Sequence, residues 1–296
     1  MIFSKMQLGT AQFGLNYGVA NTAGKPSYET AKDIISAAYD GGINTLDTAA
    51  AYGNSEEVIG RALNELNLQE KFQIISKVPP VSSQHLSSSE AEKFIINSVE
   101  KSLRRLQVDH LDICLFHQEA DIKYMDVLNK LKLCGLINGY GVSLDSTAYC
   151  QVALALDIGF IQLPYNILDK RFDDFLLKAS ARNIKIFTRS VYLQGLLLMP
   201  EDRIKPFLQE IIPVRRKLNQ LAKSSGIGMA ELCVRFVLSN QSVTSILSGV
   251  DNLSQLQENL KLIEKGILPD NLYKEINKTV PIYPEKIVRP TKWNEG

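Results

Sequence analysis

Eight short apolar runs rich in β-branched residues, alternating with amphipathic stretches, constrain this chain more than any other feature. They occupy residues 6–11, 43–47, 72–77, 111–117, 138–143, 160–164, 184–189 and 243–248. Between them, segments 29–39, 55–66, 89–106, 122–133, 147–156 and 173–181 repeat apolar residues at three- and four-residue spacing, the period of a helix with one buried face. In 89–106 the buried stripe is Ala91, Phe94, Ile95, Val99, Leu103 and Leu106; Glu90, Lys93, Glu100 and Arg104 face water, and Ser88 or Ser89 stands where an N-cap belongs. Regular alternation of strand and helix predicts a parallel sheet. A count of eight predicts closure into a (β/α)8 TIM barrel, not an open doubly wound sheet.

Two stretches depart from the alternation. After the seventh run, 206–225 and 229–240 read as two helices where one is expected, so an extra helix precedes strand eight. Beyond the eighth unit, 271–277 reads as a terminal helix and 282–296 as an irregular C-terminal tail, punctuated by Pro284 and Pro290 and carrying the only tryptophan, Trp293. A chain of 296 residues is long enough for two average domains. Barrels commonly run to about 250 residues as one unit, and a single domain over 1–296 is expected.

Composition excludes some classes of partner. A net charge of +1 gives no reason to expect nucleic acid or an anionic membrane surface. No apolar run approaches the roughly 18 residues of a membrane helix, and the amino end lacks signal-peptide character, so a cytoplasmic protein is expected. Cys114, Cys134, Cys150 and Cys233 are widely spaced, without a Cys-x-x-Cys pair, and read as reduced packing residues. His85, His110 and His117 are scattered, which argues against a metal site.

Polar residues of distinct chemistry stand at or just beyond the downstream ends of three of the runs. Asp47 and Tyr52 fall in Asp47-Thr-Ala-Ala-Ala-Tyr52-Gly53, Lys77 closes the third run and His117 the fourth. In a parallel barrel such ends converge on one face. Each residue alone would be unremarked: a packed tyrosine, a solvated lysine, a structural histidine. Together they make an acid–base site. A free phenol, with a pKa near ~10, is a reluctant proton carrier at neutral pH. An ammonium held against it favours the phenolate, and a carboxylate keeps that ammonium charged.

With its flanks Ile43-Asn44-Thr45-Leu46 and Gly53-Asn54-Ser55-Glu56, this pattern resembles the aldo-keto reductases, and the resemblance runs from Gly9 to Asn259. It implies Tyr52 as proton donor, Lys77 and Asp47 as its electrostatic partners, and His117 as the group that orients a substrate carbonyl. It also implies a nicotinamide dinucleotide, NAD or NADP, extended across the barrel mouth. No Gly-x-Gly-x-x-Gly follows the first run, and Gly139-Tyr-Gly141 is too short a match to suggest a Rossmann site.

The family's cofactor positions fall on Gly9 and Thr10 after the first run, Ser143 and Gln162 beside the nicotinamide amide, and Arg189 and Ser190 after the seventh. Gly249, Asp251, Gln255, Glu258 and Asn259 match its adenosine segment, which also reads as a helix burying Leu253, Leu256 and Leu260. Two positions depart from the pattern. Arg189 replaces an aromatic residue that usually stacks on the nicotinamide; its guanidinium can stack there or reach the pyrophosphate, and the alternative is a surface salt bridge. Leu144 replaces the asparagine that often follows the serine. Asp251 would accept from a ribose 2′-hydroxyl and repel a 2′-phosphate, which leans toward NAD, whereas the family favours NADP.

The implied activity is interconversion of an aldehyde or ketone with an alcohol, without metal. Loops 13–17, 118–124 and 192–202 and the tail mix aromatic and polar residues, which suits a sugar or small hydroxylated aldehyde. A cofactor-binding regulatory subunit of the same fold is the alternative, and a metal-dependent or isomerising barrel is disfavoured by the scattered histidines. Oligomeric state leaves no mark on the sequence.

Overall fold

A computed structural model describes residues 1–16 and 24–293. Strands β1 (Met6–Gly9), β2 (Thr45–Asp47), β3 (Gln73–Val78), β4 (Leu111–Phe116), β5 (Ile137–Ser143), β6 (Phe160–Pro164), β7 (Lys185–Arg189) and β8 (Ser245–Gly249) pair in chain order as a closed barrel. All pairs are parallel, and β8 closes on β1 with Met6 opposite Ile246 and Gly9 opposite Gly249. The expected (β/α)8 barrel is the observed fold.

Twelve helices are described: α1 (Ala11–Gly14), α2 (Tyr28–Asp40), α3 (Ser55–Leu66), α4 (Ser88–Leu106), α5 (Met125–Leu133), α6 (Cys150–Ala155), α7 (Asp173–Ala181), α8 (Ile212–Ser224), α9 (Met229–Leu238), α10 (Leu253–Glu264), α11 (Asp270–Thr279) and α12 (Glu285–Val288). The extra helix before β8 is present as α8 followed by α9. Its expected start at 206 is wrong: Pro206–Ile211 is a 3-10 segment, and α8 begins only at Ile212. Pro213 has no N–H to donate and would clash with the carbonyl four residues back, so an α-helix cannot run through it.

Other boundaries shift for local reasons. β1 stops at Gly9 because Ala11 already opens α1, and single 3-10 segments, Glu119–Tyr124 and Thr147–Tyr149, occupy the first part of two expected helices. The cap of α4 is Ser87, not Ser88 or Ser89. A capping box needs a carboxylate on the third residue after the cap, and Ser87 N donates to Glu90 Oε2 at 2.9 Å. Along α4 the expected stripe is buried except Phe94, which is half-buried.

The tail is more ordered than its prolines suggest. It forms α12 and a 3-10 turn at Pro290–Lys292, with Ile287, Val288 and Trp293 buried. Residues 294–296 of the tail and Tyr17 of the expected pocket loop 13–17 lie outside the described residues.

Two apolar bodies hold the barrel. One fills the layer between strands and helices; the other plugs the barrel interior with Ile75, Ile113, Leu115 and Phe187, packed against Phe3 and Phe160. The Phe3 and Phe187 rings meet edge to face with centroids 5.1 Å apart. Gly139-Tyr-Gly141 serves this packing. A Cβ on Gly139 would sit 2.4 Å from the Phe160 ring, and one on Gly141 would sit 1.7 Å from the Phe160 carbonyl oxygen. Glycine is required there because β6 approaches so closely. Among the described residues no helix is long and apolar enough to cross a membrane.

Candidate active site

The downstream ends of β2, β3 and β4 bring the acid–base residues together. Asp47 closes β2 and Lys77 lies in β3; each is 1% exposed. Lys77 Nζ lies 2.6 Å from Asp47 Oδ1 and donates to the Thr48 carbonyl at 2.8 Å. The other carboxylate oxygen, Asp47 Oδ2, accepts from Gln162 Nε2 on β6 at 2.7 Å. Both oxygens of this buried anion are therefore satisfied, which a buried charge requires.

Tyr52 sits on the loop that leaves β2. That loop continues the sheet pairing for a few residues, Thr48 N donating to the Ile75 carbonyl at 2.8 Å and Ala50 N to the Lys77 carbonyl at 3.3 Å. The turn at Tyr52 is then fixed by a glycine contact. A Cβ on Gly14 would fall 1.7 Å from the Tyr52 carbonyl oxygen, and Gly53, at φ +54°, would meet the Gly14 carbonyl. Lys77 Nζ lies 5.1 Å from the centre of the Tyr52 ring, and the His117 ring meets that ring edge-on at 5.5 Å.

Burial works to lower the pKa of Lys77, but the charge of Asp47 and the contact with Tyr52 outweigh it and raise it above the ordinary lysine value. The side chain is a buried ammonium. His117, just past β4, is pushed down to about 3 by burial, with the charges of Lys77 and Arg189 adding to the effect. Its ring is neutral at physiological pH, and Nδ1 is buried without a hydrogen-bond partner.

A cleft of about 670 Å³ opens beside this group, with Asp47 and Tyr52 on its wall. Gly9, Thr10, Arg189, Ser190, Gly249, Asp251, Gln255, Glu258 and Asn259 also line it. Ser143 and Gln162 do not. Ser143 is buried at the end of β5, and the Gln162 amide is engaged by Asp47, a partner on a strand far away in sequence. The Gly9 and Gly249 pair leaves bare backbone on the cleft wall. A Cβ on Gly249 would come within 2.5 Å of the Gln12 side chain.

At the β8 end, Asp251 N donates to Gln255 Oε1 at 2.8 Å, and Asn252 caps α10 by accepting from Gln255 N at 3.0 Å. Burial raises the Asp251 pKa against the opposing effect of Gln255. Asn259 is held on both sides, donating to Ser248 Oγ at 3.1 Å and accepting from the Tyr192 hydroxyl at 3.3 Å. Of the three leucines expected inside α10, Leu256 is fully buried, whereas Leu253 and Leu260 are half-buried.

Arg189 forms a salt bridge, though a partly buried one and not the surface pair expected as the alternative: NH2 lies 2.8 Å from Asp145 Oδ1 and donates to the Leu144 carbonyl at 3.3 Å. It does so while lining the cleft. Loop 192–202, expected at a substrate pocket, supplies Tyr192, Leu198 and Met199 to this cleft, whose wall also carries Asp47 and Tyr52. Ser190, Leu193 and Gln194 all have positive φ, at +64°, +47° and +52°. Such backbone is costly for non-glycine residues and persists where surrounding contacts impose it. Gln12, Arg203 and Leu262 are further lining residues that the sequence pattern did not single out.

Three of the four cysteines are buried; Cys134 is exposed, contrary to a packing role. Among the described residues no group of three or more His, Cys, Asp or Glu could hold a metal ion.

Comparison with known proteins places this geometry in context. The sequence model described as "Aldo/keto reductase family" matches residues 5–280. "Aldo-keto reductase YhdN" of Bacillus subtilis is 27% identical, over 98% of this chain and 95% of the relative. "Probable voltage-gated potassium channel subunit beta" of Arabidopsis thaliana is 25% identical, over 88% and 89% of the two chains. Among solved structures, the holo form of aldo-keto reductase AKR11C1 from Bacillus halodurans superposes with a TM-score of 0.79, covering 96% of this chain and 95% of that one; at 22% identity it speaks for the fold alone.

Proposed function

The chain belongs to the aldo/keto reductase family, and from that premise we propose a nicotinamide-dependent oxidoreductase in which Tyr52 exchanges a proton with the oxygen of an aldehyde or ketone. The observation that carries this is the buried Lys77–Asp47 ion pair, 2.6 Å apart, set against the Tyr52 ring with a neutral His117 on another side of that ring.

Each residue has a separable task. Tyr52 holds the proton at its hydroxyl oxygen and gives it up as negative charge develops on the carbonyl oxygen. The Lys77 ammonium stabilises the phenolate left behind. Asp47 keeps Lys77 charged in a site where burial alone would neutralise it, and Gln162 holds the second oxygen of Asp47 so that the first stays on Lys77. Neutral His117 can donate an N–H to the carbonyl oxygen without bringing a second acidic proton to it.

Bound in the cleft, a nicotinamide dinucleotide would supply or accept the hydride, chemistry that no side chain provides. The cleft suits such a group: bare backbone at Gly9 and Gly249 allows close approach, and Ser190, Gln255, Glu258 and Asn259 offer polar contacts. The Asp251 carboxylate favours NAD over NADP, because a 2′-phosphate beside it would meet like charge. The proposed substrate is a sugar or other small hydroxylated aldehyde.

The kinship with a potassium channel β subunit favours a second reading, a cofactor-binding regulatory subunit with little turnover. A panel of small carbonyls and sugars, assayed with NADH and NADPH in parallel with calorimetric titration of both, separates the two. Turnover of at least one carbonyl, faster with NADH, is expected. Tight cofactor binding with no turnover on any member would favour the regulatory reading.

A further inference from the structure

We propose that Asp145 is a positioning residue that ties the C-terminal tail to the cofactor cleft through Arg189, so that a bound dinucleotide and a docked tail stabilise one another. The proposal rests on the cofactor reading above and goes beyond it. Asp145 follows β5 and its side chain is 17% exposed. One carboxylate oxygen takes the Arg189 guanidinium, at 2.8 Å; the other takes Arg289 Nε and, at 3.0 Å, the Thr291 hydroxyl. Arg189 is on the cleft wall, whereas Arg289 and Thr291 belong to the tail. One carboxylate thus joins the cleft wall to the tail, beside two further links, Arg289 to Glu119 at 3.6 Å and Arg171 from the Asp145 carbonyl at 3.3 Å to Glu285 at 3.0 Å, neither of which touches Arg189.

The join is stiff at both ends. Glu119 accepts from the backbone N–H groups of Asp145 and Ser146 at 2.6 and 2.8 Å, which fixes the turn carrying the carboxylate. On the tail side Glu285 collects Arg289 at 3.2 Å, Lys292 at 3.2 Å and Arg171 at 3.0 Å. Arg171 is in turn paired with Asp169, whose side chain is wholly buried, at 2.8 Å. The Arg189 and Arg289 charges hold the Asp145 carboxyl, against the effect of burial, down to about 2, so the network stays ionised across ordinary pH.

Arg289 is also paired with Glu285 and Glu119, whereas Arg189 has Asp145 as its ion-pair partner among the described residues, so sharing that one carboxylate leaves part of the Arg189 charge uncompensated at the cleft wall. An anionic dinucleotide is attracted to that uncompensated charge, which is largest while the second oxygen of Asp145 is engaged by the tail. Loss of the tail contact lets the carboxylate swing fully onto Arg189 and changes both the charge and the orientation the cleft offers. Two sites that bias one element in this way must affect each other reciprocally.

Trp293, the only tryptophan, reports on the tail directly: it is 8% exposed and its indole N–H donates to the Ile287 carbonyl at 3.1 Å. The test is a double-mutant cycle of Arg289→Gln and Arg189→Ala, with dissociation constants for NAD⁺ and NADP⁺ measured by calorimetry and acrylamide quenching of Trp293 measured in parallel. Arg289→Gln is expected to increase quenching and weaken the dinucleotide by at least about fivefold in the wild-type background. Arg289→Lys should recover part of the loss, and in the Arg189→Ala background Arg289→Gln should leave the dissociation constant unchanged. Thr291→Val, which removes a single hydroxyl, gives the same direction with less risk to folding. Unchanged affinity in Arg289→Gln despite increased quenching, or an equal loss in both backgrounds, would overturn the linkage. Failure of the wild type to bind either dinucleotide would instead overturn the cofactor reading itself.

Discussion

The driest and the most charged parts of this barrel sit two residues apart on the same strands. On β3, Ile75 belongs to the interior apolar plug and Lys77 to the buried ion pair; on β6 the corresponding residues are Phe160 and Gln162, and on β7 Phe187 and Arg189. Strand periodicity keeps each pair on the inner face, so height along the barrel alone separates oil from charge. The plug contributes stability by burial. The ion pair does not do so in the same way: each buried ion costs several kcal/mol to desolvate, and the attraction repays this only with full hydrogen bonding. A charged layer held directly above a dry one, with every oxygen of Asp47 satisfied, is arranged for chemistry.

That contrast is open to attack from either layer. Lys77→Met is expected to lower kcat/KM by more than about a hundredfold, the scale of a lost acid–base group, and to destabilise the fold through the unpaired Asp47. Steady-state kinetics with urea denaturation measures both; a variant that kept its activity would show the charged layer to be structural. Phe187→Ala, in the plug, should cost about 3–5 kcal/mol in the same denaturation while the protein that remains folded keeps most of its turnover. A loss of turnover larger than the loss of stability would mean that the two layers are not separable.

The smallest expected effect is an absence of titration. An unfolded histidine takes up a proton near ~6.5, whereas His117 resists until about 3. The unfolded chain therefore binds more protons across that window, so the contribution of His117 to stability is complete above the first value and lost as pH falls toward the second. The His117 ring resonances should stay still from about pH 8 to about pH 5. Movement within that range would mean that the ring is wetter, or farther from Lys77, than described.

Much of this was legible in the chain. Short apolar runs mark all eight strands because the strands of a parallel barrel are covered on both faces, and the polar residues at their downstream ends converge because a barrel gathers those ends. What escaped depends on distant partners. The resemblance singles out Gln162 as a residue beside the nicotinamide amide, but its bond to Asp47 is visible only once β6 is seen to lie across the barrel from β2. The cleft wall at 190–194 relies on positive φ at Ser190, Leu193 and Gln194, and non-glycine residues give no local signal of it. Pro284 and Pro290 made the tail look irregular, yet it is held by burial of Ile287, Val288 and Trp293 and by long-range ion pairs, Glu285 to Arg171 and Arg289 to Asp145.

The central claim is that Tyr52 carries the proton, and replacing it with phenylalanine removes the hydroxyl while keeping the ring that Lys77 and His117 contact. Carbonyl reduction by Tyr52→Phe, measured with the dissociation constant of the reduced cofactor, tests it most directly. Near-complete loss of turnover is expected, with cofactor affinity close to that of the wild type. Retention of more than about a tenth of the activity, a barrier change under ~1.4 kcal/mol, would contradict the assignment.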